Sequence, residues 1–331
     1  MRRRDFVGLV ALWASAASSS SASGQPARKP VIALFTIGRP GDPDAAVPMI
    51  ETVRQALAEL GWVGDDTATI VVAHAQGRID GLKEVAEDLV RRRVDVIVAG
   101  GGTVTGAASN ATRTIPIVMS ASAFDPVRAG WADSYARPGR NVTGLTFATD
   151  ETIDKQLELL KKVAPDVTRV GLLRSRGNAA NQPVVDRALA MAPTLDLATS
   201  VAEVGTATDL EPTIDQMQAA GCNALLVVVD PAIDNMRTRI ADLALGRRLP
   251  TVGQLPYYAE AGFLITYAAN LSLLHRRAAE YTDRILRGAT PGELPIERPT
   301  KFAFTLNART ARAIGLTLNP TVLALADEVI D

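Results

Sequence analysis

The chain has 331 residues, with 35 Lys and Arg against 36 Asp and Glu and 47% hydrophobic residues. A formal charge of -1 leaves no electrostatic footprint for nucleic acid, and the single Cys222 cannot form an internal disulfide. Cys222 stands ahead of the apolar run Ala224 to Val229, where a small buried thiol is expected.

The first 24 residues read as an export signal: Arg2-Arg3-Arg4, an apolar run from Val7 to Ala17, then a Ser/Ala stretch from Ser18 to Ser23. That run is shorter than the roughly 20 residues that span a bilayer. Arg3-Arg4 ahead of Phe6-Val7 fits a twin-arginine signal, and an ordinary secretory signal equally. Cleavage is expected after Ala22 or Gly24; no Cys is near enough to become a lipid anchor. The 307 residues that follow carry a formal charge of -3, enough chain for two lobes with their own cores.

Beyond the signal, short apolar runs alternate with amphipathic stretches, the rhythm of a parallel sheet covered by helices. Strands are expected at Val31-Ile37, Thr69-Ala73, Val94-Ala99, Ile115-Met119 and Val142-Phe147, with helices at Val47-Leu60, Ile79-Arg92 and Thr103-Thr112. A second set follows: helix Thr152-Val163, strand Val167-Leu173, helix Asn181-Met191, a strand near Leu195-Val201, helix Thr208-Ala220, strand Ala224-Val229, helix Ala232-Leu245, and strands near Thr251 and Phe263-Tyr267. The tail gives a helix Leu273-Arg287, a passage through Pro291, Pro295 and Pro299, a strand Lys301-Leu306 and short helices to the end. The fold class is α/β, two Rossmann-like doubly wound lobes. If the tail returns across both lobes, three crossovers join them at a hinge.

Catalytic material is thin. The two histidines, His74 and His275, give no zinc spacing with Cys222, and no G-x-S-x-G elbow occurs. His275 beside Arg276 and Arg277 reads as a solvated helix face, and His74 ends an apolar strand. The informative segment is Gly100-Gly101-Gly102-Thr103, a glycine turn between a strand and a helix, where peptide N-H groups make a cradle for an anion. A dinucleotide would want an acid closing the next strand, which instead ends Val118-Met119-Ser120, and no Gly-Lys-Ser/Thr makes a Walker loop. A plain tight turn is the alternative.

Several phrases belong together: Glu59-Leu60-Gly61-Trp62, Val94-Asp95-Val96-Ile97-Val98, Ala111-Thr112-Arg113-Thr114-Ile115-Pro116-Ile117-Val118, Asp125-Pro126-Val127, Ala136-Arg137-Pro138-Gly139-Arg140-Asn141-Val142-Thr143-Gly144, Pro299-Thr300-Lys301-Phe302 and Ala326-Asp327-Glu328-Val329-Ile330. In order and spacing the chain resembles the tryptophan/tyrosine-type solute-binding proteins of ABC transporters. The resemblance implies a type I periplasmic binding fold, a small ligand clamped between lobes, and no cofactor. It also implies lobes formed by 30-146 with 272-300 and by 147-271 with 301-331. Three stretches depart from the family pattern: the Gly100-Thr103 loop, Ala73-His74-Ala75-Gln76-Gly77, and Arg174-Ser175-Arg176-Gly177-Asn178. Aromatic specificity therefore does not follow.

Ligands of open α/β sheets sit beyond the carboxyl ends of strands. That rule selects Phe35, Thr36, Gly101, Gly102, Thr103, Ser120 and Ser122 in the first lobe. In the second it selects Ser175 beside Arg174, Asp230, Gln254 and Tyr257, with Tyr267 near a crossover. The expected ligand is amino-acid-like, its carboxylate on Gly102 and Thr103 and its ammonium on Asp230; Asp230 before Pro231 also reads as a helix cap. Arg174 or Arg176 could instead pair with an acidic ligand, and Phe35, Phe124 or Tyr257 could wall an apolar one. The expected role is a periplasmic receptor serving an ABC permease in the inner membrane. A sensory subunit on the same fold is the alternative, and a dinucleotide enzyme a remote third.

Overall fold

The computed structural model describes residues 28–38, 49–147, 152–178 and 181–331. The signal expected over residues 1–24, and the start of the helix expected from Val47, lie outside them.

β1 (Val31–Thr36), β2 (Thr69–His74), β3 (Val96–Ala99), β4 (Ile117–Ser122) and β5 (Val142–Thr146) form a parallel sheet in the order β2-β1-β3-β4-β5. Burial on both faces explains the unbroken apolar runs, and the period of two divides them between faces. Ile32 and Leu34 join the core under α1 (Met49–Glu59), while Ala33 and Phe35 join the core under α3 (Leu82–Arg91) and α4 (Gly102–Ala111). A short α2 (Gly64–Thr67), unforeseen in the sequence, leads into β2.

The second half runs α5 (Ile153–Val163), β6 (Arg169–Ser175), α6 (Gln182–Met191), β7 (Ala198–Val204), α7 (Ala207–Ala219), β8 (Ala224–Val227), α8 (Pro231–Asp234), α9 (Arg237–Gly246), β9 (Thr251–Gly253) and β10 (Ile265–Ala269). The tail comprises α10 (Leu271–Leu286), β11 (Phe302–Asn307), α11 (Ala308–Ala313), α12 (Pro320–Leu323) and β12 (Glu328–Ile330). Its sheet has the order β12-β11-β10-β9-β8-β6-β7, parallel except where β10 meets β11.

The chain passes between the sheets three times. From β5 it enters α5, which packs on β10; from β10 it enters α10, which packs on α1, β3, β4 and β5. Glu297 then makes a parallel bridge to Leu145 of β5 before the chain returns as β11. Thr143 Oγ1 donates to the Leu294 carbonyl at 2.6 Å, Tyr281 Oη to the Pro295 carbonyl at 2.6 Å, and Arg277 holds Glu297 through Nε and Nη2 at 2.9 and 2.7 Å. One apolar core is continuous from Ile32, Leu57 and Tyr281 through Phe147, Val229 and Leu255 to Ile214 and Phe263, so it runs through both halves.

Four expectations change. The helix expected over Ala232–Leu245 is broken after Asp234, whose carbonyl accepts from Arg237 Nη1 at 3.0 Å instead of from the next helical N-H. β7 starts three residues later than expected, because Ala192–Leu195 makes a tight turn closed by Asp196 at φ +56°. The chain ends in β12, not in helix: Val329 pairs with Leu306 and extends the sheet. His275 is buried, not solvated; it shares a face with Leu271, Ala278, Ala279 and Thr282, while Arg276 and Arg277 turn outward to Glu59 and Glu297. Cys222 is buried as expected.

Candidate functional site

Each sheet has one place where strand order reverses, between β1 and β3 and between β6 and β8. The crevice beyond the carboxyl ends at such a switch point is where open sheets take ligands. The first switch point brings together Thr36 and the Gly100–Thr103 turn; the second brings together Ser175 and Asp230.

At the first, the Gly100 N-H donates to the Phe35 carbonyl at 2.8 Å, which ties the turn to β1. Gly101 takes φ +98°, open to glycine, and its carbonyl accepts from Thr105 N and Oγ1 at 3.0 and 2.8 Å. α4 therefore starts at Gly102, and the N-H groups of Gly102, Thr103 and Val104 have no partner within the helix. A side chain at Gly102 would put its Cβ 2.6–3.1 Å from three ring atoms of Phe124. Thr36 and Thr103 are half-buried at this rim.

The other residues expected here are engaged elsewhere. The Phe35 ring is fully buried in the core, where burial of such a side chain is worth ~1.5–3 kcal/mol, and only its backbone reaches the turn. Ser120 Oγ donates to the Ala99 carbonyl at 3.2 Å. Ser122 Oγ both donates to the Phe124 carbonyl and accepts from the Phe124 N-H, each at 3.1 Å.

At the second switch point Asp230 is a hub. Its Oδ1 accepts from the Ala232 and Ile233 N-H groups at 2.9 Å each, so the capping role is realised. Its Oδ2 accepts from Ser175 Oγ, from Asn178 Nδ2 at 3.2 Å and from Asn181 Nδ2 at 3.0 Å. Sequence reasoning missed Asn181 and the part of Asn178; the signal was a pair of asparagines flanking the loop after β6. Arg174 is spent on Glu203 and Gln182, and Arg176 Nη2 lies 3.6 Å from Asp209, so both pair within their own half.

Gln254 is buried, its Oε1 accepting from the Val229 N-H at 2.9 Å; Gln156 Nε2 donates to Thr152 Oγ1 and to the Tyr267 carbonyl at 3.1 and 3.0 Å. The Tyr267 ring stacks on Phe302 with centroids 5.5 Å apart, so its place is on the β10–β11 pair.

Tyr257 belongs to a group that the sequence did not reveal. The Arg237 guanidinium lies 5.4 Å from its ring centre, and the Asp234 carboxyl stands near its hydroxyl and that of Tyr258. Burial pushes the Asp234 carboxyl up to about 6, opposed by Arg237, whose Nη1 is 3.9 Å from Oδ1. Burial, reinforced by the Asp234 charge, raises both Tyr257 and Tyr258. Asp234 Oδ1 and the Tyr258 hydroxyl are buried without a hydrogen-bond partner among the described residues.

A cavity of about 430 Å³ lies elsewhere, along the outer edge of β2 and α3, lined by Val71 to His74 and by Glu84, Asp88, Arg91 and Arg92 among others. Its lining includes none of the residues named at either switch point, although His74, at the outer sheet edge, pairs in register with Thr36 of β1.

Each of the two sheets thus carries one switch point, and this architecture is shared with known proteins. A curated relative, the tyrosine-binding protein of Clostridioides difficile (strain R20291), is 25% identical over 262 residues, 79% of this chain and 75% of that protein. A structure from Streptococcus pneumonia, an ABC domain in complex with L-Trp, has a TM-score of 0.82 at 22% identity, covering 91% of this chain and all (100%) of that one. A ligand-free, open substrate-binding protein with adhesive properties from Clostridium difficile has a TM-score of 0.67 at 21% identity, covering 91% and 99%. The family and these neighbours are solute-binding proteins, not enzymes. The model of the ABC transporter substrate binding proteins matches residues 42–330, nearly all of the described chain, and the protein belongs to that family.

Proposed function

We propose that this protein is the extracytoplasmic receptor of an ABC importer, delivering an amino acid to a permease in the inner membrane. The observation that carries the reading is the complementary chemistry of the switch points: N-H donors and hydroxyls at Thr36 and Gly102–Val104 on one half, the Asp230 carboxylate on the other. The ligand carboxylate would take the Gly102 and Thr103 N-H groups and the Thr103 hydroxyl. Its ammonium would take Asp230 Oδ2 in exchange for Asn178, whose 3.2 Å bond is the longest of that hub. Charge-assisted bonds of this kind are worth roughly 1.5–3 kcal/mol each once water is excluded.

The lobes are assigned as 30–146 with 272–300 and 147–271 with 301–331, closing about the three crossings; the packing of α10 on α1 and β4 supports that division.

A thermal-shift screen of the mature protein against L-Tyr, L-Trp, L-Leu, small carboxylates and nucleosides tests the reading. A true ligand at ~100 times its Kd adds about 2.7 kcal/mol of stability. A response to nucleosides alone would overturn it. The variant Asp230→Asn keeps a capping oxygen and loses the charge, so its expected affinity for the amino acid is at least ~10-fold weaker with the fold intact, ~10-fold being about 1.4 kcal/mol. Unchanged affinity in calorimetry removes Asp230 from the site.

A further inference from the structure

Phe124 stands at the first switch point for a reason that packing alone does not supply. Its backbone is fixed at both polar groups: the N-H by Ser122 Oγ, and the carbonyl by Ser122 Oγ and Thr146 Oγ1, each at 3.1 Å. The next turn is held too, because Asp125 Oδ1 accepts from the Val127 and Arg128 N-H groups at 2.8 and 3.1 Å. Buried Trp131 stands beside the ring, centroids 6.3 Å apart and planes tilted by 36°, itself packed where a side chain at Gly106 would come within 3.3 Å of it. The ring also lies against Gly102, the first residue of α4, and stays half-buried. The Ser122 hydroxyl expected at the ligand is thus spent, together with that of Thr146, on aiming a ring.

Resting on the amino-acid reading above, we propose that Phe124 is the selectivity wall of the site, presenting an aromatic face to the side chain of a ligand whose carboxylate is held at the start of α4. A wall set at this place favours a flat or bulky apolar side chain over a small one, because the gain scales with the apolar area covered. It also keeps water from the N-H groups beside it, which strengthens their bonds to a carboxylate.

Calorimetric titration of L-Trp, L-Tyr, L-Leu and L-Ala into the unsubstituted protein and into Phe124→Ala and Phe124→Leu decides the matter. In Phe124→Ala the affinity for the best aromatic or bulky ligand is expected to drop at least ~10-fold, while L-Ala changes less than ~2-fold; ~10-fold corresponds to about 1.4 kcal/mol. Phe124→Leu keeps apolar volume but no flat face, so it should recover L-Leu more fully than L-Trp. A parallel loss across the panel, or an unchanged ranking, overturns the proposal while leaving the amino-acid reading intact. If the unsubstituted protein binds none of the four, the reading fails and this assignment with it.

Discussion

Asp230→Ala is expected to cost about 4 kcal/mol of folding stability, read as a lower urea midpoint at unchanged slope. The side chain accepts from five donors: two backbone N-H groups of α8 and the side chains of Ser175, Asn178 and Asn181. Losing the cap alone removes ~1 kcal/mol, and each buried donor left without an acceptor costs roughly 1–3 kcal/mol unless it turns to water. Asn178 is partly buried and can turn; Ser175 and Asn181 are buried and cannot do so freely. Asp230→Asn keeps one acceptor oxygen and should cost about 1–2 kcal/mol. A loss under ~1 kcal/mol in the alanine variant would mean that the hub is not a main support of the second half.

The second large effect concerns pH, and it comes as an opposed pair. Burial holds His275 down to about 4, below its ordinary 6.5. The unfolded chain therefore takes up a proton as pH falls through 6.5, while the folded chain resists until about 4. Stability from this group is complete above 6.5 and is lost on the way down, roughly 3 kcal/mol in all. Asp234 acts in the opposite sense. Held up to about 6 against 3.8, it takes its proton first in the folded state, so stability is gained as pH falls from about 6 toward 3.8, again roughly 3 kcal/mol. The two contributions nearly cancel between pH 6 and 4. Unfolding free energies of His275→Leu and Asp234→Asn, each taken relative to the parent protein across pH 4 to 8, should separate them. Relative to His275→Leu the parent loses stability on acidification, and relative to Asp234→Asn it gains. A flat difference in either series contradicts the burial argument for that residue.

The architecture was legible because strands buried on both faces leave an unmistakable trace. V-I-V-A at β3 and A-L-L-V at β8 leave little but a central parallel strand to be read. The switch points were legible too, since strand–turn–helix order locates carboxyl ends. What the sequence hid was the commitment of each polar group. Ser120 and Ser122 lie where a ligand could use them, yet nearby carbonyls claim both hydroxyls. A hydroxyl's partner is set by backbone geometry a few ångströms away, and no residue pattern reports it. His275 differs, because its signal was present and overruled. Counting by three and four along α10 puts it with Leu271, Ala278, Ala279 and Thr282, whereas reading it with its charged neighbours put it in water. Asp234 and Arg237 escaped notice because the expected helix was drawn straight through the break that brings them beside Tyr257.

The passage of α10 back onto α1 and β4 also governs when the protein can fold. During synthesis the first five strands emerge early, but α10, which packs on α1, β3, β4 and β5, arrives only after residue 270, and the strip that closes the β5 edge only at Glu297. A nascent chain therefore carries an uncovered apolar sheet face through most of translation, a state prone to aggregation and in need of a chaperone. Neither half is a module that could be excised, and a chain stopped short of residue 297 should remain soluble only in a chaperone's keeping.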